Sequence, residues 1–266
     1  MTRRAIETLQ AADVILCEDT RVTARLCSEY GIRTRTQPLH EHNEDARIPG
    51  VLEMLRQGKR VALVSDAGAP LVSDPGYRLV RAALEVGLPV GGVPGANAAL
   101  LALSLSGLPP HPFLFLGFPP PRSGGRRAAF AGLRAAEAAG LSATLIWYEA
   151  PHRLAECLAD LAVVFGPRPA AVARELTKRF EEVRRAPLDE LAAYYAEHAA
   201  RGEITLVVGP PSEEAVADDG VEALLAGLMA RMSLKEAVAQ VTAQTGLPRK
   251  QVYALALGMT REDSPD

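Results

Sequence analysis

Four consecutive apolar residues, Val61 to Val64, stand between Lys59-Arg60 and the run Ser65-Asp66-Ala67-Gly68-Ala69-Pro70. An apolar run that short, without alternation, predicts a strand buried on both faces. Turn formers continue to Gly76, after which Leu79, Val80, Ala83 and Leu84 recur at helical spacing. Strand, acid-and-glycine loop, helix is how an open α/β sheet presents a ligand at the carboxyl ends of its strands.

The same alternation runs through most of the chain. Ala5, Ile6, Leu9 and Ala12 predict a helix from almost the first residue. Val14 to Leu16 predict a strand ending in Cys17-Glu18-Asp19-Thr20-Arg21, and Val22, Leu26 and Tyr30 a helix stopping at Gly31. A short strand over Thr34–Leu39, the polar loop His40 to Glu44 and a helix ending at Gly58 come next. After the central run we expect a strand over Leu88–Val93, the tight turn Pro94 to Ala98 and a helix from Ala99 to Leu105. Gly107 to Pro112 reads as a linker. Beyond it the pattern predicts strands at Phe113–Phe118, Ala143–Tyr148, Ala170–Ala173 and Ile204–Val208. Between them lie a flexible basic loop over Pro119–Arg127, an Ala-rich helix to Gly140, a helix reaching Phe165 and another after Pro187. The acidic stretch Pro210–Gly220 reads as a linker. In the tail, Ser233-x-x-Glu236 is a capping box, Leu234, Ala237, Val238 and Val241 form one apolar face, Gly246 stops that helix and Pro248 opens a second. The outline is helix-turn-helix, and a helical hairpin packed on the body fits equally well.

Composition narrows the function classes. The 266 residues are 48% hydrophobic and 23% charged with a net charge of −3, an ordinary globular balance without a global basic field for nucleic acid. The 3 cysteines are far apart and form no CxxC, which argues against a zinc site or disulfide framework and suits a reducing cytosol. Neither a secretory leader nor a membrane span is expected.

Candidate chemistry sits where strands end. The Asp66-Ala67-Gly68 loop suits a ligand held by backbone N–H groups with Asp66 on a ribose hydroxyl; a plain turn is the alternative. No G-x-G-x-x-G or G-x-x-x-x-G-K-[ST] occurs, so the NAD fingerprint and the P-loop are both missing. Glu18, Asp19 and Arg21 place two carboxylates and a guanidinium at one strand end, against the alternative of capping and surface pairing. His40-x-His42 lacks a third ligand nearby, so no metal is expected. Arg122, Arg126, Arg127, Arg174 and Lys178 are the candidate phosphate contacts, with Arg179, Arg184 and Arg185 beside them; solvated helix faces are the alternative.

Taken together, Cys17 to Arg21, His40 to Glu44, Val61 to Gly76, Val93-Pro94-Gly95, Tyr148 to Arg153 and Ala173 to Lys178 resemble the bacterial 16S ribosomal RNA cytidine-2′-O-methyltransferases, of the tetrapyrrole methylase fold class. The resemblance covers nearly the whole chain, in order. It implies a homodimer of two α/β domains, residues 1–108 and 109–211, with S-adenosylmethionine in a cleft between them and a helical domain over 221–266. Carried onto this sequence, the cofactor meets Asp66, Ala67, Gly68, Val72, Asn97 and Ala98, then the Glu149 region and Leu176. The Asp-Ala-Gly-Ala-Pro loop differs from the Gly-Asp-Pro loop of tetrapyrrole enzymes, which favours an RNA substrate. The family normally opens with an apolar strand and a Thr-Pro-Ile-Gly-Asn-Leu-type loop, and both are missing before the helix that begins here at Met1. That predicts neighbouring strands with unpaired backbone groups.

The expected reaction is methyl transfer to a ribose hydroxyl, with Glu18, Asp19 or Glu149 as base and Arg21 holding a phosphate or the carboxylate geometry. The protein is expected in the cytoplasm, with 16S rRNA in the small ribosomal subunit as partner. Three rivals stay open: a methyltransferase on a tetrapyrrole or other small molecule, a catalytically impaired RNA-binding protein, and a nucleotide-binding α/β enzyme.

Overall fold

A computed structural model of the chain describes residues 1–211, 213–245 and 249–262. The chain divides into two units, Met1–Leu101 and Ala102–Asp266.

Unit 1 is organised on β1 (Val14–Cys17), whose four residues are all buried. Alternation sends Val14 and Leu16 to one face, where they meet Leu39, Val51 and Leu79. Ile15 points the other way, into a cluster with Leu9, Cys27 and Ile32. Helices α1 (Arg3–Ala11) and α2 (Thr20–Glu29) supply the second cluster, and α3 (Glu44–Arg56) and α4 (Tyr77–Glu85) the first. Both faces are therefore covered, as a parallel sheet requires. β1 pairs in parallel with β2 (Thr36–Pro38) and β3 (Val61–Val64), in the order β2-β1-β3. The division between units falls within α5 (Ala98–Ser106).

Two strand expectations change here. Val61 to Val64 do form β3, yet all four are only half-buried. β3 has a ladder partner on its β1 side alone among the described residues. The predicted strand Leu88–Val93 is irregular, and Val90 and Val93 are exposed. An apolar run becomes a strand only with a partner to complete its backbone hydrogen bonds, and no described strand lies beside it.

Unit 2 holds a five-stranded sheet of β4 (Phe113–Phe115), β5 (Thr144–Glu149), β6 (Pro169–Arg174), β7 (Glu182–Pro187) and β8 (Ile204–Val208), in the order β4-β5-β8-β6-β7. Only β4 and β5 are parallel; β8 inserts antiparallel between β5 and β6. Helices α6 (Ser123–Ala138), α7 (Leu154–Phe165) and α8 (Leu188–Glu197) complete it, and Phe130, Trp147, Leu158, Leu161, Leu191 and Leu206 are in its core. β7 was not expected. Glu182-Val-Arg-Arg-Ala-Pro has no apolar alternation: it is an edge strand, with Arg185 exposed, Arg184 stacked over the Tyr194 ring at 3.7 Å and Glu182 paired with Arg174. Arg184 and Arg185 consequently sit on a strand rather than a helix face.

Two loop expectations also give way. The segment expected as a flexible loop over Pro119–Arg127 is helical from Ser123, with Arg122 at the N-cap position. The linker expected over Pro210–Gly220 is part of α9 (Glu213–Met229) from Glu213 onward, since Glu and Ala are good helix formers. α9, α10 (Leu234–Thr245) and α11 (Arg249–Glu262) enclose their own small core of Val221, Leu225, Val238, Val241 and Val252. The capping box forms as read: Ser233 Oγ meets Glu236 Oε2 at 2.6 Å, and the Glu236 N–H donates back to Ser233 Oγ at 3.4 Å. Gly246 and Pro248 lie outside the described residues. Among those residues, no helix is long and apolar enough to cross a membrane.

Candidate functional site

Because β1 and β3 are neighbouring parallel strands, their carboxyl ends place the loops after Cys17 and Val64 side by side. The backbone N–H of Asp19 donates to Asp66 Oδ1 at 3.1 Å. Asp19 is also the N-cap of α2: its Oδ1 accepts the Arg21 N–H at 2.8 Å, and its Oδ2 meets Arg21 Nη2 at 2.6 Å. Side-chain and then backbone bonds from Arg21 hold the Asp19 carboxyl at about 2. Glu18 is exposed and has no hydrogen-bond partner among the described residues.

The loop from Ser65 to Gly76 adds Asp74, which is not among the candidate site residues named from the sequence. Burial pushes the Asp74 carboxyl up; the charges of Glu18 and Asp66 add to this, and a Ser65 hydrogen bond opposes it. Glu18, Asp66 and Asp74 thus interact around one loop. Its signal was the Asp-Pro-Gly triplet immediately after the first acid-and-glycine run. Leu71 and Ser73 in the same loop have left-handed backbone, φ 71° and 64°. Such conformations cost about 1–3 kcal/mol each and persist where surroundings over-determine them, often at ligand sites.

Gly68 brings two predicted cofactor segments together: a Cβ there would lie 3.6 Å from the Ala96 carbonyl oxygen. Asn97 Oδ1 accepts the Leu100 N–H at 3.0 Å, capping α5. Ala67 and Ala98 are exposed, and Val72 is half-buried. Unit 1 therefore presents Glu18, Asp19, Asp66 to Gly68 and Ala96 to Ala98 as a rim of small residues and carboxylates.

The predicted residues of unit 2 divide sharply. Glu149 is only 2% exposed. It accepts from the Ala150 N–H at 2.7 Å and pairs with Arg153 at 3.0 Å, so it fixes the loop after β5. Arg126 is fully buried, pairing with Asp160 at 2.6 Å. The expectation that Arg126 meets RNA therefore gives way to an internal role. Arg127 also pairs with Asp160, at 2.6 Å, while half-exposed; Arg122 is exposed. Burial alone would raise the Asp160 carboxyl, but hydrogen bonds from Arg127, Arg126 and Ser123 hold it below its ordinary value.

After β6, Glu175 and Thr177 are left-handed, φ 49° and 65°, around half-buried Leu176. Glu175 Oε1 accepts from the Glu203 N–H at 2.9 Å and from Lys178 Nζ at 2.9 Å. Lys178 also pairs with Glu203, and Arg174 with Glu182, each at 3.0 Å. Most of the cations expected to meet phosphate are thus partnered by carboxylates. Among the described residues, no cluster of His, Cys, Asp and Glu fits a metal ion.

Residues 1–192 match the family described as tetrapyrrole (corrin/porphyrin) methylases, and residues 214–260 match the RsmI C-terminal HTH domain. A protein from Micromonospora olivasterospora named ribosomal RNA small subunit methyltransferase I is 46% identical over all of this chain and 84% of its own length. One of the same name from Escherichia coli O157:H7 is 43% identical over 97% of this chain and 90% of its own. Among solved structures, diphthine synthase superposes with a TM-score of 0.58 at 14% identity, covering 84% of this chain and 89% of that one. A uroporphyrin-III C-methyl transferase from Thermus thermophilus, complexed with S-adenyl homocysteine, gives 0.52 at 22% identity, covering 79% and 90%. These structural likenesses concern the fold. With its two α/β sheets, its helical tail and full-length relatives above 40% identity, the chain is a methyltransferase and belongs to the tetrapyrrole methylase family, in the branch of the ribosomal RNA small subunit methyltransferases I.

Proposed function

We propose that this protein uses S-adenosylmethionine to methylate the 2′-hydroxyl of a ribose, that of a cytidine, in 16S rRNA of the small ribosomal subunit, working as a cytoplasmic homodimer. The observation that carries the reading is the tied pair of loops after β1 and β3, joined by the Asp19–Asp66 hydrogen bond and lined by Gly68 and Ala96. That rim suits the cofactor: small residues admit a flat adenine closely, and Glu18, Asp66 and Asp74 offer negative charge to a sulfonium and an α-amino group. Ala67, Val72, Asn97 and Ala98 are proposed contacts on the same rim, and Leu176 is a proposed contact from unit 2.

The bound cofactor supplies an electrophilic methyl group. The residues of this chain have to align a ribose hydroxyl with it and receive the hydroxyl proton. Asp19, held at about 2 and paired to Arg21, is a poor proton acceptor, and its role is to fix the loop. Glu18, exposed and without a hydrogen bond among the described residues, is the proposed base. Arg21, most of whose guanidinium faces solvent, is placed to hold an RNA phosphate. Glu149 acts by positioning the loop from Ala150 to Arg153. Arg122, Arg127, Arg174 and Lys178 remain proposed RNA contacts, with the affinity of the last three limited by their carboxylate partners.

The test is transfer of a labelled methyl group from S-adenosylmethionine to purified small ribosomal subunits, followed by nucleoside analysis. We expect 2′-O-methylcytidine. A methylated base, or transfer to a tetrapyrrole without ribosomal particles, refutes the assignment. Glu18→Gln is expected to lower turnover by about 10²-fold or more.

A further inference from the structure

The tail contains a cavity of ≈ 680 Å³ lined by Ser233, Leu234, Lys235, Arg249, Lys250 and Tyr253. It opens where α10 and α11 begin. Three of its six lining residues are cations, and no carboxylate is among them. Lys235, Arg249 and Lys250 are exposed and have no ion pair among the described residues. The contrast with the cations of α6 and of the β6–β7 hairpin is direct: there Arg126, Arg127, Arg174 and Lys178 all face carboxylates within 3.0 Å. Glu236 is the neighbouring acid, and its carboxylate is tied into the capping box by Ser233 at 2.6 Å, which draws it toward the helix end. Tyr253 is 45% exposed at the cavity wall, a flat ring beside the three cations.

Cations without a partner among the described residues, gathered at a concave surface beside an exposed aromatic ring, are what a nucleic-acid strand recognises: charge for phosphates and a platform for an unstacked base. We propose that this cavity is a docking site for the sugar-phosphate backbone of RNA, with Lys235, Arg249 and Lys250 on successive phosphates and Tyr253 stacking a base. The proposal deepens the functional reading above, on which it rests for the identity of the RNA. The tail then anchors the substrate outside the methyl-transfer site, so its loss acts on RNA affinity and leaves cofactor affinity alone.

The test uses the full chain and a 16S rRNA fragment, with binding measured across salt concentrations. Replacing Lys235, Arg249 and Lys250 by Ala is expected to weaken binding roughly 10- to 100-fold near 0.15 M salt and to flatten the salt slope by about 2, at ~0.7 per phosphate on a single strand. Tyr253→Ala is expected to weaken binding about tenfold with the slope unchanged. Lys235→Arg with Lys250→Arg is expected to keep affinity within about twofold, since charge is retained. A control removes three exposed cations of unit 1 (Arg4, Arg25 and Lys59) instead. Unaltered affinity and slope in the tail variant, an equal loss in the control, or equal binding to duplex DNA of the same length would each overturn the proposal. S-adenosylmethionine titrated into the parent chain and the tail variant separates the two readings. Equal cofactor affinity with weakened RNA binding supports the docking site. Absence of cofactor binding in both overturns the functional reading, and the RNA comparison still decides the docking site.

Discussion

Asp66 Oδ1 accepts the backbone N–H of Asp19 at 3.1 Å, tying the loop after β3 to the loop after β1. The tie joins residues 47 apart in sequence and leaves Asp66 otherwise exposed. A carboxylate fixed through one oxygen by backbone keeps the other available to a ligand hydroxyl. Asp66→Ala should therefore weaken S-adenosylmethionine binding by about tenfold or more, or ~1.4 kcal/mol. Asp66→Asn keeps an acceptor and should fall between Ala and the parent. Titration calorimetry reads the affinities. Thermal unfolding should change little, because an exposed hydrogen bond contributes roughly 1 kcal/mol or less. Equal affinity in all three proteins would remove Asp66 from the cofactor site.

The pair of Asp19 and Arg21 makes a prediction in pH. With its carboxyl at about 2 in the folded chain, Asp19 contributes stability above its ordinary 3.8, and this contribution is lost as pH falls through 2. Arg21→Ala removes the side-chain partner and leaves the backbone N–H at position 21, so the carboxyl should move part of the way back. The variant should be less stable than the parent at pH 7, and the gap should close between pH 4 and 2. Urea unfolding at several pH values measures it, and a carbon-detected titration of Asp19 gives the shift directly. A gap that is constant down to pH 2 contradicts the assignment.

Arg126 tests the difference between an internal cation and an RNA contact. Its fully buried guanidinium pairs with Asp160, which is shared with Arg127 and Ser123. Removing one partner from such a cluster strands a buried charge and costs about 3–5 kcal/mol. Arg126→Met should lower the urea midpoint accordingly, and adding Asp160→Leu should recover much of the loss. RNA affinity of the folded Arg126→Met protein should match the parent within about twofold. A tenfold loss of RNA binding would return Arg126 to the recognition surface.

What the sequence made legible follows from which signals are local. Apolar runs with turn residues at both ends located β1, β3, β5, β6 and β8, and the acids at the ends of β1 and β3 were visible as motifs. Neighbour relations were not. Whether Val61–Val64 is covered on both faces, or Leu88–Val93 is a strand at all, depends on what lies alongside, which no window of residues contains. β7 escaped because edge strands disguise themselves with charge. Arg126 and Glu149 looked like surface chemistry for a related reason. A charged residue in a loop-like segment reads as exposed until its partner, 34 residues away at Asp160 or four away at Arg153, is seen. Asp74 was not singled out, because an Asp-Pro-Gly triplet marks the loop without assigning a role to its acid.

Gly202 and Gly87 give a controlled comparison for the loop after β6. Both glycines are left-handed, with φ of 83° and 74°, so replacing either by Ala incurs a similar backbone penalty of roughly 1 kcal/mol. Their surroundings differ. Nothing lies within 4 Å of a Cβ built at Gly87, whereas one at Gly202 would lie 2.3 Å from Glu175 Oε1 and 2.4 Å from its Cγ. The collision reaches the stem of the side chain as well as its tip, so Glu175 has to move. Moving it breaks the hydrogen bond from the Glu203 N–H and the pair with Lys178, which hold the left-handed backbone at Glu175 and Thr177. Leu176 lies between those two residues and shifts with them. Gly202→Ala should thus cost about 1–3 kcal/mol more than Gly87→Ala in urea unfolding. It alone should weaken S-adenosylmethionine binding, by roughly tenfold through Leu176. Glu175→Ala combined with Gly202→Ala removes the collision and should narrow the stability difference while leaving cofactor affinity low, because the bonds that set the loop stay broken. Equal effects of the two glycine substitutions on both measurements would show that this loop has no part in holding the cofactor.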